Sequence, residues 1–463
     1  MKNFLGKKVL VILVLAALLM IPLSLIEGVV NERSAYRDEA RYSIAQSWSD
    51  EQTILGPLLV VPYKETVESR VWNEKLQRYE IEVETLDRIF LLAPEVLTID
   101  GEVTTETRSR GIYEVPIYYS QLAVSGRFDL SKVADFAQTL EHKIDWQPAY
   151  LSVAISDVRG VEVQPSLNWR GQAIEFVSDT GIQDMHSGMH APLGQLQADK
   201  AVADFDFDLK LHGMERLAFS PMGKSTKVSM QANWPDPSFF GRYLPSERAI
   251  DAKGFTAIWQ VSSFSSNVSS GLAYCQTGNC SPLQQDTFGV RLFNSVDIYQ
   301  QSERSVKYGL LFIGLTFVGF FLFEVMKGLR LHPMQYLLVG LGLSVFYLLL
   351  ISLSEHMAFA LAYTIATIAS TLVIGFYVSS VLQSARQGGI ITGALLLLYG
   401  MLYGILSSED NSLLMGSLLI FGVLSLVMVV TRRLDWYAVA DSMVNLAARK
   451  EDDLSTKDKP LAQ

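Results

Sequence analysis

The sequence predicts a multi-pass α-helical membrane protein carrying a large, mainly-β, antiparallel extracytoplasmic domain. Three observations predict it. Five closely spaced apolar segments fill the last third of the chain, from about Val306 to Thr431; one more, Val9 to Ile26, stands near the start; and the long polar stretch between them alternates apolar and polar residues. A hydrocarbon core of about 30 Å needs about 20 helical residues at 1.5 Å rise. Val9–Ile26, Tyr308–Phe323, Met334–Leu353, Met357–Val378, Ile390–Leu406 and Leu413–Val430 all run close to that length.

The cations of the short segments set an orientation. Lys2, Lys7 and Lys8 precede the first span, Lys327 and Arg330 separate the second and third, Arg386 separates the fourth and fifth, and Arg432 and Arg433 follow the sixth. The alternate loops, Ser352–His356 and Ser407–Ser412, hold no Lys or Arg. With six spans every short basic segment falls on one side, so the positive-inside rule expects both termini in the cytoplasm. The expected layout is a cytoplasmic N-terminus (1–8), a transmembrane signal anchor (9–29), a periplasmic mainly-β domain (30–304), a five-helix bundle (305–431) and a cytoplasmic tail (432–463). A cleaved signal peptide is the alternative for the first segment. Against it, Pro22 lies inside a long apolar run, and Leu25-Ile26-Glu27-Gly28 offers no small-x-small cleavage pattern.

The net charge of −10 argues against nucleic-acid binding, which needs a basic surface to displace counterions. The external domain also lacks a polybasic stripe for anionic headgroups. The expected partners are the lipid bilayer and envelope proteins or polymers, and the oligomeric state is left open. The only two cysteines are Cys275 and Cys280, with Gly278 and Asn279 in the turn between them. They are expected to form a disulfide, which suits an oxidising compartment such as a bacterial periplasm. The pair is too small for a zinc site, and its spacing is not that of a Cys-x-x-Cys redox motif.

The external domain reads as antiparallel sheet. Ala203–His212 alternates Phe and Leu with Asp, Lys and His, and Leu59–Tyr63, Tyr79–Thr85, Ile112–Tyr119, Tyr150–Ile155, Lys227–Ala232 and Thr256–Val261 are similar. Ser131–His142 is the helical candidate, with Val133, Phe136 and Leu140 on one face. Glu114–Tyr118 leading to Gly126-Arg127-Phe128 resembles Lys227–Gln231 leading to Gly241-Arg242-Tyr243, a repeat that would divide the domain into two related lobes.

Catalytic and metal patterns are weak, and no cofactor is expected. His186 and His190 have i, i+4 spacing, but Gly188 lies between them and no Glu follows His186, so they read as surface-loop histidines. Asp204, Asp206 and Asp208 are strung along about 13 Å of strand, too spread to surround a calcium ion. No Gly-x-Ser-x-Gly elbow or phosphate-binding loop occurs.

In the membrane region Ser352-Leu353-Ser354-Glu355-His356 joins two apolar spans. Ser354, Glu355 and His356 form either a structural turn, in which Ser354 caps the following helix and Glu355 sits in its first turn, or a functional polar cluster. Glu324, near the cytoplasmic end of the second span, either snorkels or meets Lys327 at i, i+3.

Several segments carry a resemblance: Ser302–Ile313 at the second span, His332-Pro333-Met334-Gln335-Tyr336 opening the third, Ser352–His356 after it, and Gly56–Tyr63, Arg110-Gly111-Ile112-Tyr113 and Trp234–Phe239 in the external domain. In these the chain resembles the CreD family of bacterial inner-membrane, cell-envelope integrity proteins, over nearly its whole length up to about Asp441. The resemblance implies envelope integrity, expression under a two-component system, and altered colicin or β-lactam responses. It implies no reaction and no catalytic residue.

The expected function is therefore non-enzymatic: maintaining or sensing the envelope through a periplasmic β domain coupled to a six-span region. Arg304 and Lys307, where the chain re-enters the bilayer, are the residues expected to transmit orientation, or else to anchor at the interface. The alternative is an envelope enzyme or carrier acting on lipid or peptidoglycan precursors, with Glu355 and His356 at the outer face. A transporter is disfavoured by the scarcity of charges at mid-span.

Overall fold

A computed structural model describes residues 4–73, 77–139, 144–196, 201–292, 298–327, 331–407 and 412–432. Lys2, Arg330, Arg433, Glu409, the end of the expected helix at 140–142 and the tail beyond Arg432 lie outside the described residues. In chain order come α1 (Phe4–Leu18), α2 (Met20–Ser47), β1 (Gln52–Asn73), β2 (Arg78–Leu92), β3 (Val96–Arg110), β4 (Tyr113–Asp129), α3 (Ser131–Thr139), β5 (Ile144–Trp146) and β6 (Ala149–Ile155). Next are β7 (Ser166–Trp169), β8 (Gln172–Glu175), β9 (Val177–Ser178), β10 (Gly188–Gly194), β11 (Val202–Met214), β12 (Arg216–Phe219), β13 (Ser225–Ala232), β14 (Pro237–Gly241), β15 (Glu247–Asp251) and β16 (Gly254–Ser262). The remainder are α4 (Val268–Gln276), α5 (Ser281–Gln285), β17 (Phe288–Leu292), α6 (Ile298–Lys307), α7 (Gly309–Lys327), α8 (Pro333–Ser354), α9 (Phe359–Val381), α10 (Ala385–Ser407) and α11 (Ser412–Thr431).

The chain forms two compact units, Met1–Asp38 with Val296–Gln463, and Glu39–Ser295. Six helical stretches among the described residues are long and apolar enough to cross a membrane: Gly6–Ser47, whose apolar part lies in the first unit, and the five helices from α7 to α11 of that unit. Their positions follow the six apolar segments of the sequence. Pro22 explains the break at Leu19, because without an N–H it cannot bond the carbonyl of Leu18, four residues back. Beyond Ile26 the helix continues through a polar stretch to Ser47, since Glu27–Ser47 holds no proline.

In the second unit, nine strands form a sheet ordered β14-β17-β12-β1-β6-β10-β9, with β2 and β5 also on β1; eight form a second, ordered β15-β16-β13-β3-β4-β11-β7-β8. Pairing is antiparallel except for β1 with β12 and β3 with β13. The buried sides of both sheets enter one core, where Leu59, Val61 and Phe288 of the first meet Phe128, Phe205 and Trp259 of the second. Along β11, Phe205, Phe207, Leu209 and Leu211 are buried while Asp204, Asp206, Asp208 and Lys210 face water, as strict alternation demands. The two segments matched as a repeat are not equivalent in structure. Glu114–Phe128 lies on the single strand β4, whereas Lys227–Tyr243 runs from β13 in one sheet to β14 in the other and just beyond it.

Two further features matter for function. The last turns of α2 belong to this second unit: Ile44 and Ala45 pack on Val115, Ile117 and Met214, and Arg41 bonds Glu215 at 2.7 Å and Glu51 at 3.1 Å. The β1–β2 ribbon pairs out to Asn73↔Arg78, while among the described residues β5 pairs with β1 over Tyr63–Glu65. One face of its distal part pairs Trp72 with Tyr79, Arg70 with Ile81 and Glu68 with Val83, and Tyr79, Ile81 and Val83 are 60–68% exposed.

Candidate functional site

The membrane unit holds two polar clusters, each built on a carboxylate at a helix end. The first is at the Ser354-Glu355-His356 turn. Ser354 Oγ donates back to Ile351 O at 2.9 Å, and Glu355 caps the C-terminus of α8, its N–H bonding Ile351 O at 3.3 Å. The N-cap of α9 is Ala358. The expectation that Ser354 caps the following helix, with Glu355 in its first turn, is therefore corrected: these residues finish the preceding helix.

The Glu355 side chain is only 7% exposed and lies 3.6 Å from Arg33 Nε of α2. The hydroxyl of Tyr299, on α6, donates to the same carboxylate oxygen at 3.3 Å, and the Arg37 guanidinium stands 5.7 Å from the Tyr299 ring centre. Glu355 thus ties the end of α8 to α2 and α6. His356 is exposed beside it, while the carboxylate that would orient a catalytic histidine is engaged by Arg33 and Tyr299.

Arg304 and Lys307 share α6 with Tyr299. The Arg304 carbonyl accepts from Tyr308 N at 3.2 Å, joining α6 to the start of α7. Lys307 Nζ pairs with Glu303 at 2.6 Å, an exposed i, i+4 contact worth a few tenths of a kcal/mol.

The second cluster surrounds Glu324, whose side chain is 1% exposed. Its carboxylate receives Lys8 Nζ from α1, the Tyr336 hydroxyl at 2.9 Å and the Leu331 N–H at 2.9 Å; Lys8 Nζ also donates to Leu331 O at 3.3 Å. The snorkelling or Lys327-paired side chain expected from sequence is instead buried, because three donors satisfy it where it stands. The His332–Tyr336 motif explains how. His332 Nδ1 accepts from Met334 N at 3.2 Å, Gln335 Oε1 accepts from His332 N at 2.9 Å, and Pro333 occupies the first turn, so α8 is capped reciprocally and Tyr336 is aimed at Glu324.

Sequence reading missed Lys8, Arg33, Tyr299 and Tyr336. Topology contained the signal, since Lys8 and Glu324 sit at one end of their spans and Arg33 and Glu355 at the other.

In the β unit Cys275 and Cys280 are bonded, with Cα atoms 4.1 Å apart; both are buried and link α4 to α5. His190 is not on a loop, as expected from sequence, but half-buried on β10, its Nδ1 2.6 Å from Asp179 O. Asp204 pairs with Arg127 at 2.7 Å, and Asp206 accepts from Asn168 at 2.9 Å. Among the described residues no group of three or more His, Cys, Asp or Glu could hold a metal ion. Glu95 accepts from Lys132 and, at 2.9 Å, from Lys224. Burial works to raise its pKa, but these hydrogen bonds and charges outweigh it and hold the carboxyl below the ordinary glutamate value.

Two solved structures of an M1 zinc metallopeptidase from Deinococcus radiodurans, one a mutant bound to a Tyr-Ser-Ala substrate, align with 36% of this chain and with 39% and 38% of theirs. Their identities of 10% and 8% and TM-scores of 0.17 and 0.16 are too low to bear on fold or chemistry. A family model for the inner membrane protein CreD matches residues 5–437. The inner membrane protein CreD of Escherichia coli (strain K12) is 36% identical over 439 residues, 94% of each chain. With that match running through the spans, both polar clusters and the β unit, the chain belongs to the CreD family of inner membrane proteins.

Proposed function

We propose that the protein supports envelope integrity, or the response to envelope stress, without catalysing a reaction, by coupling a periplasmic β domain to its helical bundle. The observation that carries this is the Glu355 contact set. Arg33 lies on the segment leading out of the membrane unit, Tyr299 on the segment leading back, and both reach the end of α8. A strain on either segment is thereby delivered to the bundle. Lys7, Lys8, Lys327, Arg386 and Arg432 at one set of helix ends support cytoplasmic termini and a periplasmic 39–295 region.

The β1–β2 ribbon supports an envelope protein as partner. A two-stranded ribbon is marginal in water by itself, and apolar side chains along one face, on strands with no further partner beyond Glu65 among the described residues, are features used in strand addition.

The test is complementation of a deletion strain at matched protein abundance. Glu355→Ala should weaken the envelope phenotype markedly, Glu355→Gln partially, since an amide oxygen still accepts from Tyr299, and His356→Gln not at all. Complete loss with a folded, abundant His356→Gln variant would instead favour an envelope enzyme or carrier acting on lipid or peptidoglycan precursors.

A further inference from the structure

Between α7, α10 and α11 lies a crevice of about 840 Å³. Its lining is apolar except for Thr316, whose hydroxyl proton is already donated to Phe312 O at 2.8 Å, so it offers an occupant no side-chain donor. The crevice has a depth. On α7 it runs from Leu315 to Met326, on α10 from Ile390 to Met401, and on α11 from Leu418 to Val430. At 1.5 Å per residue each stretch is about 17 Å, close to the roughly 15 Å of one leaflet's hydrocarbon. Because α10 runs opposite to α7 and α11, Met326, Ile390 and Val430 mark the same mouth.

That mouth is cationic. Lys327 follows Met326, Arg386 is one turn before Ile390, and Arg432 is two residues past Val430; all three side chains are exposed. Among the described residues no ion pair joins any of the three to a carboxylate. Lys8 at the same set of helix ends is, by contrast, consumed by Glu324. A side preference for cations explains why these charges share an end of the bundle. It does not explain why each of the three helices lining the crevice contributes one.

We infer that this crevice is a binding site for an anionic glycerophospholipid, its acyl chain lying between α7, α10 and α11 and its phosphate headgroup held by Lys327, Arg386 and Arg432. Charge complementarity selects the occupant. Basic pockets between transmembrane helices recognise acidic headgroups, each cation near the surface adding to the preference. The site stands independently of the function proposed above, since it touches neither Glu355 nor the β unit.

The test uses the full chain in mild detergent, with native mass spectrometry after titration of phosphatidylglycerol or phosphatidylethanolamine of identical acyl chains. Retention of phosphatidylglycerol should exceed that of phosphatidylethanolamine by about tenfold. Replacing Lys327, Arg386 and Arg432 together by Gln should bring the two lipids within about twofold, as expected when the headgroup charge is no longer read. Gly319→Leu with Gly422→Leu should lower retention of both. Both glycines line the crevice, and a Cβ on either meets nothing within 4 Å, so a side chain added at these positions starts into open space without a backbone clash. Equal retention of the two lipids by the unaltered protein, or a preference surviving the triple Gln change, would overturn the inference. So would a lipid-free dimer that the two glycine substitutions dissociate, because the occupant would then be a second copy of the chain.

Discussion

Lys8→Met should be among the most damaging single changes in the membrane unit, although it only removes a charge near the chain's start. In the native protein the Glu324 carboxylate is 1% exposed and has three donors: Lys8, Tyr336 and the Leu331 N–H. Taking away the cation leaves a buried charge with two neutral donors, a situation that costs about 3–5 kcal/mol. Tyr336→Phe removes one hydrogen bond to a charged group, about 1.5–3 kcal/mol. Glu324→Gln strands Lys8 less severely, because Lys8 is 13% exposed and keeps the Leu331 carbonyl at 3.3 Å. The double variant Lys8→Met, Glu324→Gln should therefore recover part of the loss, and the cycle should show coupling of about 1–3 kcal/mol. The assay is reversible unfolding of the purified protein in mixed detergent–SDS micelles, read by far-ultraviolet circular dichroism. Strict additivity of the two single changes would refute the pairing, since residues that do not share an interaction add within about 0.5 kcal/mol.

Reporter fusions after Lys327, after Arg386 and after Arg432 should read cytoplasmic and fusions within 39–295 periplasmic; a periplasmic reading after Arg432 would overturn the six-span layout. Cys275 and Cys280 should resist alkylation until reduced, and the double Cys-to-Ser variant should fold with a loss of about 2 kcal/mol, the chain-entropy value for so short a loop. Acid should weaken the β unit through Glu95. Its folded pKa is depressed, so its contribution is full above the ordinary glutamate value and is lost as pH falls through the lower folded value. Glu95→Gln should flatten the unfolding midpoint of the full chain over that window, and an unchanged pH profile would contradict the assignment.

What the sequence carried clearly was whatever is local. Six apolar segments located six spans because lipid imposes a length and a composition that no other context demands together. Alternation located β11, β13 and β16 because each buries one face in a common core. The polar extension of the first helix to Ser47 was hidden, since its composition matches a surface loop and its helical state depends on Ile44, Ala45 and Arg41 finding partners on β4, β11 and the Met214–Arg216 turn. Strand order was hidden too, because β1 draws neighbours from β2, β5, β6 and β12, and the β12 pairing joins Gln52 to Leu217. The Lys8–Glu324 pair spans 316 residues, so only knowledge of which helix ends coincide could suggest it.

Glu355 shows how a local rule that fails can indicate a role. A carboxylate is favoured at a helix N-terminus and disfavoured at a C-terminus, by about 0.3–1 kcal/mol at exposed sites. In sequence Glu355 looks like a first-turn residue of the next helix, yet it caps the C-terminus of α8, where the last carbonyls already concentrate negative charge. Its stability there depends on groups outside its own helix: Arg33 at 3.6 Å and the Tyr299 hydroxyl at 3.3 Å. Helix formation alone would therefore be better served by Gln or Ser at this position. Its locally unfavourable position is compensated by two distant elements, the outgoing and returning segments of the membrane unit, and connecting them is the task that the function proposed above gives it. The same reasoning separates Glu355 from Lys307, whose exposed contact to Glu303 lies within one helix and would form whether or not that helix met anything else.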